Sequence, residues 1–445
     1  MSRALLQAWQ KILRRRGADC ALVEAASGRT RTFREIDAAA ETWVAAHVPD
    51  RTQLAGRAVV FAVPNGAAWL EIFLGLLKVG AVAVPLDPGE PLAAQQRLAG
   101  ALRASAWWDG RALVPFSGAR RYRDPAQCLI KLTSGSSGQP RALVFTAAQM
   151  LADGRQVTAT MGIRPRDLNY GLIPLGHSYG LGNLTIPLLA QGVPLVCGTA
   201  ALPQAIANDF ARWQPTVFPG VPTMWRALAA SDVRLESLRL GISAGAPLAP
   251  EVARDFAARF GQPLHSFYGS SETGGISYDR TGRAALAGNV GAALRGVKLT
   301  GLSGQRLRVS SAAVMTHGHT RRVGKHGAWI MPDRAVVGAR GEVTLLGRRG
   351  TTVKIAGRRV NLAEVAERLR RLPAVREVWV GVTGGADPVL AAVVATERTP
   401  VELRAALLPV AAAWSIPKKL LVVRALPVTA RGKTDTRALQ GMISS

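Results

Sequence analysis

The stretch Thr133-Ser-Gly-Ser-Ser-Gly-Gln-Pro-Arg141 concentrates hydroxyls, glycines and a fixed positive charge in one short run. Glycines let backbone N–H groups turn toward a single point, and the hydroxyls add further donors, which equips a loop to wrap a polyphosphate. It is not a Walker A loop, because no Lys-Ser/Thr pair follows at the right spacing and no helix is expected directly after it. By composition alone it also reads as a surface turn. Two other residues stand out less on their own: Lys433, beside Gly432, reads as one more surface lysine, and His177 reads as a satisfied core histidine in an apolar, glycine-rich stretch. His317 and His319 have no carboxylate or cysteine at ligand spacing and read as loop residues.

The elements that must carry these residues follow from their patterns. Leu129–Leu132 and Ala142–Phe145 read as strands flanking the Ser/Gly stretch. Upstream, a capping-box pattern at Thr32 and Glu35 opens a helix with Ile36, Ala40, Trp43 and Val44 at helical spacing. Val59–Val63, Ala67–Leu77 and Ala81–Pro85 then read as strand, helix and strand, the rhythm of βαβ units in a sheet covered on both faces. Further strands are expected at Leu172–Pro174, Leu195–Cys197, Thr216–Pro219 and Leu238–Ser243. Between about Val290 and Leu346 the pattern becomes short, glycine-punctuated strands. In the last hundred residues Asn361 caps a helix that Pro373 stops, strands follow at Val375–Val382 and Val389–Val394, a helix at Val401–Ala413, and a last strand at Leu420–Leu426.

At 445 residues the chain exceeds what one hydrophobic core usually serves, so more than one domain is expected. With 48% hydrophobic and 19% charged residues, it is not a disordered protein. A net charge of +27 favours acidic partners such as nucleotides, carboxylates or acidic proteins. Three scattered cysteines suit a reducing compartment, and the expected location is cytoplasmic, with no signal peptide and no transmembrane segment. Leu5, Trp9, Ile12 and Leu13 form one face of a basic N-terminal helix, which either packs on the body or meets a membrane surface.

Several motifs, taken in order, resemble the adenylate-forming superfamily of acyl-CoA synthetases, aryl-acid ligases and peptide-synthetase adenylation domains. The Ser/Gly stretch is similar to the family's phosphate loop. Pro174-Leu-Gly-His-Ser-Tyr-Gly180 resembles the segment beside the acyl pocket, Ser243-Ala-Gly-Ala-Pro247 the strand end that packs on adenine, and Tyr268-Gly-Ser-Ser-Glu272 the Tyr-Gly-x-Thr-Glu motif. Gly347-Arg348 and the run from Val353 to Val360 resemble the hinge region and the loop after it, and Pro427-Val-Thr-Ala-Arg-Gly-Lys433 the terminal lysine motif.

The resemblance implies an α/β protein: a large body of layered sheets with a small β-barrel-like segment over 1–348, and a small mobile α+β domain over 349–445 carrying the catalytic lysine. It implies ATP, Mg²⁺ and CoA, or the phosphopantetheine of a carrier, as cofactors. Thr133, Ser134, Gly135, Ser136, Ser137, Gly138 and Arg141 would hold phosphate; Gly245, Ala246, Pro247, Tyr268, Gly269 and Ser271 would surround the nucleotide. Asp333 and Arg348 would meet the ribose, and Glu272 would hold the metal. His177, Tyr179 and Gly274 would face the acyl group, and Leu175, Leu181 and Gly275 would complete a neutral lining. Gly357, Arg358 and Arg359 would admit the thiol, and Arg349 with Gly350 would form the hinge. Lys433 would stabilise the charge that builds up when a carboxylate attacks the α-phosphate.

The chain also departs from the family pattern. Arg141 and Ala142 replace the loop's lysine and glycine, and arginine offers a planar fork in place of a point charge. Ser271 replaces threonine, Trp329-Ile-Met-Pro-Asp333 replaces the usual ribose signature, and Gly350 replaces a charged hinge residue. The span Gly171–Gly192 contains no acid to pair a substrate ammonium, which disfavours amino acids and favours a fatty or aryl carboxylate. The expected activity is formation of an acyl-adenylate, then of a thioester with CoA. The alternatives are loading of an acidic acyl carrier protein and, in a different class, a non-catalytic anion- or nucleic-acid-binding protein. Scattered arginine pairs without interleaved aromatics disfavour nucleic acid.

Overall fold

The structure, a computed structural model, describes residues 3–133, 141–318, 327–348, 352–355, 358–383, 389–409, 411, 415–429 and 434–444. The chain divides into two compact units. One comprises 1–300, 308–330 and 337–343; the other comprises 301–307, 331–336 and 344–445.

The first unit contains two large sheets. In the nine-stranded sheet, Cys20–Glu24, Leu195–Cys197, Asn169–Gly171, Val217–Gly220, Leu240–Ser243 and Leu264–Ser270 run parallel. Antiparallel strands extend it at each edge: Arg29–Thr32 on one side, Gly274–Tyr278 and Ala292–Ala293 on the other. In the seven-stranded sheet, Ala58–Phe61, Val82–Pro85, Ala106–Trp108 and Gln127–Thr133 are parallel, and Arg141–Thr146 turns back antiparallel. Alternation sorts its side chains. Val59 and Phe61 join the main core with helices Phe33–His47 and Ala67–Lys78, while Ala58 and Val60 face a second cluster with Ala99 and Leu102. The main core also takes in Leu22 and Leu195 of the nine-stranded sheet, so one apolar body is shared by both sheets.

Local signals explain the element ends. Thr32 Oγ1 accepts the Glu35 amide at 3.1 Å while the Glu35 carboxylate accepts the Thr32 amide at 2.7 Å, the reciprocal capping box expected from sequence. The N-terminal helix, Arg3–Arg16, is held by packing: Leu5, Trp9 and Ile12 lie in the main core, and Trp9 Nε1 donates to Asp37 Oδ1 at 2.8 Å. Its apolar face is therefore committed to the protein interior.

In the second unit, the strands Val375–Val382, Leu390–Thr396 and Lys419–Val423 form one sheet. Its central strand is buried on both faces, which is why Leu-Ala-Ala-Val-Val-Ala-Thr is a continuous apolar run. Leu390, Ala392 and Val394 pack with helices Leu362–Arg370 and Pro400–Leu407; Ala391 and Val393 pack with Leu439 and Ile443 of helix Thr436–Ser444. Pro400–Leu407 stops well short of the expected Ala413, because Pro409 has no N–H with which to continue the helix. The expected strand at Leu172–Pro174 lies three residues earlier, at Asn169–Gly171. The expected small barrel-like segment is the four-stranded sheet of Lys298–Leu302, Arg306–Ser310, Ala328–Val337 and Val343–Arg348.

Candidate active site

Three of the parallel strands of the nine-stranded sheet come into register at one edge. Gly220 pairs with Ser243, and Ser243 with Ser266, so the chain leaves this edge of the sheet at carboxyl-terminal strand ends. In open α/β sheets that edge is where ligands bind.

Three predicted segments meet there. Tyr179 donates its hydroxyl to the carbonyls of Gly220 and Ile242, both at 3.2 Å, and its ring lies 5.8 Å from that of Phe267. Burial pushes the Tyr179 phenol well above its ordinary pKa, so it remains a donor to those carbonyls. Ser178 Oγ donates to Ser271 Oγ at 3.0 Å, which ties the His177-bearing segment to the turn that carries Glu272. His177 is half-buried; its backbone caps the short helical turn Ser178–Gly180, which runs into a π-helical turn, Leu181–Thr185. Such turns recur at functional sites.

The Glu272 turn joins two antiparallel strands in which Ser270 pairs with Gly274 and Tyr268 with Ser277. Tyr268, Ser271 and Glu272 are half-buried and Gly269 is exposed. The Met315 amide donates to the Glu272 carbonyl at 2.9 Å, which holds the backbone of the turn. Among the described residues no group of three or more His, Cys, Asp or Glu side chains converges as a metal cage. A lone carboxylate fits Mg²⁺, which takes one or two protein carboxylates and completes its shell with water and substrate phosphates.

Gly245, Ala246 and Pro247 are exposed just beyond strand Leu240–Ser243. Gly245 has φ +88°, and a Cβ there would meet only Val221 Cγ1, at 3.6 Å, so its backbone is open to a flat partner. Thr133, half-buried, pairs across the ladder with Arg141, exposed, so the two strands that flank the Ser/Gly stretch are antiparallel neighbours in the seven-stranded sheet. Ser134, Gly135, Ser136, Ser137 and Gly138 lie outside the described residues, as do Arg349, Gly350, Gly357 and Lys433. Arg348 ends strand Val343–Arg348, and Arg358 and Arg359 pair with Ile355 and Lys354; for these three arginines only the backbone is described. Asp333 is buried in strand Ala328–Val337 and belongs to the second unit.

Leu175 and Leu181 are fully buried, part of the main core. Sequence reasoning missed the acid beside them. Asp153, on helix Ala147–Met161, is buried and accepts the Gly275 amide at 2.9 Å. Lys131, in the middle of strand Gln127–Thr133, is equally buried, with Nζ 4.2 Å over the Phe145 ring. A charged residue inside an apolar strand pattern was the available signal.

Residues 117–307 match the family of AMP-binding enzymes. Benzoate–CoA ligase of Thauera aromatica is 28% identical over 346 residues, 70% of this chain and 65% of that one. Feruloyl-CoA synthase of an Amycolatopsis species is 28% identical over 336 residues, 69% of this chain and 68% of that one. These alignments thus span about two thirds of the length of either relative. ATP-bound MatB of Rhodopseudomonas palustris has the same fold, with a TM-score of 0.81 over 98% of each chain at 21% identity. The segments Pro174–Gly180, Ser243–Pro247 and Tyr268–Glu272 meet at one sheet edge, and all three lie within the stretch that matches the AMP-binding enzymes.

Proposed function

We propose that the chain is an ATP-dependent carboxylic acid–thiol ligase acting on an aryl carboxylate. A carboxylate oxygen bonds to the α-phosphorus of ATP as pyrophosphate leaves; the thiol sulfur of CoA then bonds to the acyl carbon, AMP leaves, and the thiol proton goes to solvent. The observation that carries the reading is the Ser178–Ser271 hydrogen bond, which sets the acyl-side segment against the turn of the metal-binding carboxylate. Adenylation needs both, because it brings an acid and a metal-bound polyphosphate together. The aryl preference is supported by relatives named for benzoate, ferulate and 4-coumarate, and by a Gly171–Gly192 span without an acid.

The residues divide the work. Glu272 holds Mg²⁺, which when bound offsets charge on the phosphates. The open edge at Gly245–Pro247 and the Tyr268 face receive the nucleotide base, and Asp333 accepts hydrogen bonds from the ribose. The hydroxyl-rich loop from Thr133 to Gly138, with Arg141, wraps the leaving pyrophosphate. His177 and Tyr179 orient the carboxylate. Lys433 meets the charge that develops between carboxylate and α-phosphate, then leaves by motion of residues 349–445 about Arg349–Gly350. Gly357, Arg358 and Arg359 line the thiol approach, and the +27 charge attracts the CoA phosphates.

The test is to incubate the protein with ATP, Mg²⁺ and benzoate or a hydroxycinnamate, with CoA or a carrier protein as acceptor, and to follow products by mass spectrometry. Aryl-CoA formation supports the reading. Thioester on the carrier alone would transfer the acceptor role to a carrier, and acyl-adenylate with no thioester on either would refute the ligase.

A further inference from the structure

Two buried charges, Asp153 and Lys131, have no role in the chemistry described above. Asp153 and Lys131 are each 3% exposed. The Asp153 carboxylate is closely fitted: Oδ1 accepts the Gly275 amide at 2.9 Å, a Cβ on Gly274 would lie 2.3 Å from that oxygen, and a Cβ on Gly182 would lie 2.9 Å from Oδ2. Gly274 also holds φ +71°, so the position is closed to side chains on two counts. The carboxylate thus fills a slot bounded by two residues without side chains. One belongs to the π-helical turn of the acyl-side segment, the other to the strand that follows Glu272.

Burying an acid this deeply costs several kcal/mol unless a partner compensates. Desolvation raises the Asp153 pKa and lowers that of Lys131, and each is the largest opposing charge acting on the other. A buried acid serving only the core would be replaceable by an apolar side chain; this one instead accepts a hydrogen bond from the backbone amide three residues beyond Glu272.

We propose that Asp153 is a positioning residue that fixes the Glu272 turn against the acyl-side segment and so sets where the metal carboxylate points. The inference rests on the adenylating role proposed for the site, and its test is built so that the two can fail separately.

The variants are Asp153→Asn, which keeps an acceptor but strands the Lys131 charge; the neutral double variant Asp153→Asn/Lys131→Met; and Gly182→Ala, which crowds Oδ2 while retaining both charges. Amide hydrogen exchange over 271–275 is the readout that needs no activity. In Asp153→Asn, exchange at the turn should quicken and the Mg²⁺ concentration for half-maximal pyrophosphate exchange should rise about tenfold, as for loss of a partner that orients a metal ligand. The acid KM should stay within about twofold. Gly182→Ala should shift both readouts in the same direction, which keeps the test open if Asp153→Asn does not fold. The double variant should recover stability but not the slow exchange at Gly275. A folded Asp153→Asn or Gly182→Ala protein with wild-type exchange over 271–275 and wild-type Mg²⁺ dependence would overturn the proposal. If the wild type shows no acid-dependent activity, the ligase reading fails, and hydrogen exchange alone still decides the positioning claim.

Discussion

Ser178 Oγ donates to Ser271 Oγ at 3.0 Å, across 93 residues of sequence, and so couples the His177-bearing segment to the turn that carries Glu272. A neutral hydrogen bond of this kind contributes about 1 kcal/mol. Ser178→Ala and Ser271→Ala should each slow pyrophosphate exchange roughly fivefold, and the double variant should be no worse than either single one. Rates from the four-member cycle check this; strictly additive losses would show that the two hydroxyls act separately.

Lys433→Ala should leave the melting transition unchanged and reduce adenylate formation by two to three orders of magnitude, about 3–4 kcal/mol of lost charge stabilisation. Thioester formation from purified acyl-adenylate should be far less affected, since that step has no use for a cation at the α-phosphate. Single-turnover measurement of each half-reaction separates the two, and equal losses in both would contradict the assigned role.

Trp9 is fully buried, and its indole N–H is engaged by Asp37. Trp9→Ala should destabilise the protein by about 3–5 kcal/mol, measured by denaturant unfolding. Because the same face supplies Leu5 and Ile12 to the core, the wild-type protein should not be drawn to anionic vesicles through this helix; co-sedimentation that is lost on disordering the helix would contradict the packing.

Burial opposes ionisation of Asp167, yet the Arg239 guanidinium and the Arg164 amide outweigh it and hold the carboxyl below its ordinary range. The sign follows: with the folded pKa depressed, this contribution is complete above the unfolded value near 3.9 and disappears as pH falls through the folded one. Arg239→Ala should therefore cost about 1–2 kcal/mol at pH 7, the arginine being partly exposed and screened, and less at pH 3. Unfolding free energies at the two pH values check it; a pH-independent loss would show that Arg239 acts by packing.

The sequence patterns carried the folding units well where a local rule was sufficient. The Thr32–Glu35 cap, the apolar face of Leu362–Arg370 and the fully buried strand Leu390–Thr396 are all written in consecutive residues. Boundaries slipped where one residue overrides a longer pattern, as Pro409 does at the helix from Pro400. The motif segments at Tyr179, Ser271 and Gly245 were legible because each is a short run of distinctive residues. Lys131 and Asp153 were not: one looks like an error in a strand, the other like a polar helix residue. Their meaning comes from a backbone amide 122 positions away from Asp153 and from the glycines that leave room for its carboxylate. Non-local pairing of that kind leaves no periodic trace in a single sequence.

The central claim, that this chain joins a carboxylate to AMP, is tested most directly by exchange of labelled pyrophosphate into ATP across a panel of carboxylic acids. Mg²⁺-dependent exchange is expected with aryl acids such as benzoate and hydroxycinnamates, little with amino acids, and none without an acid. Exchange that is absent with every acid tested, or that proceeds equally well without one, would contradict it.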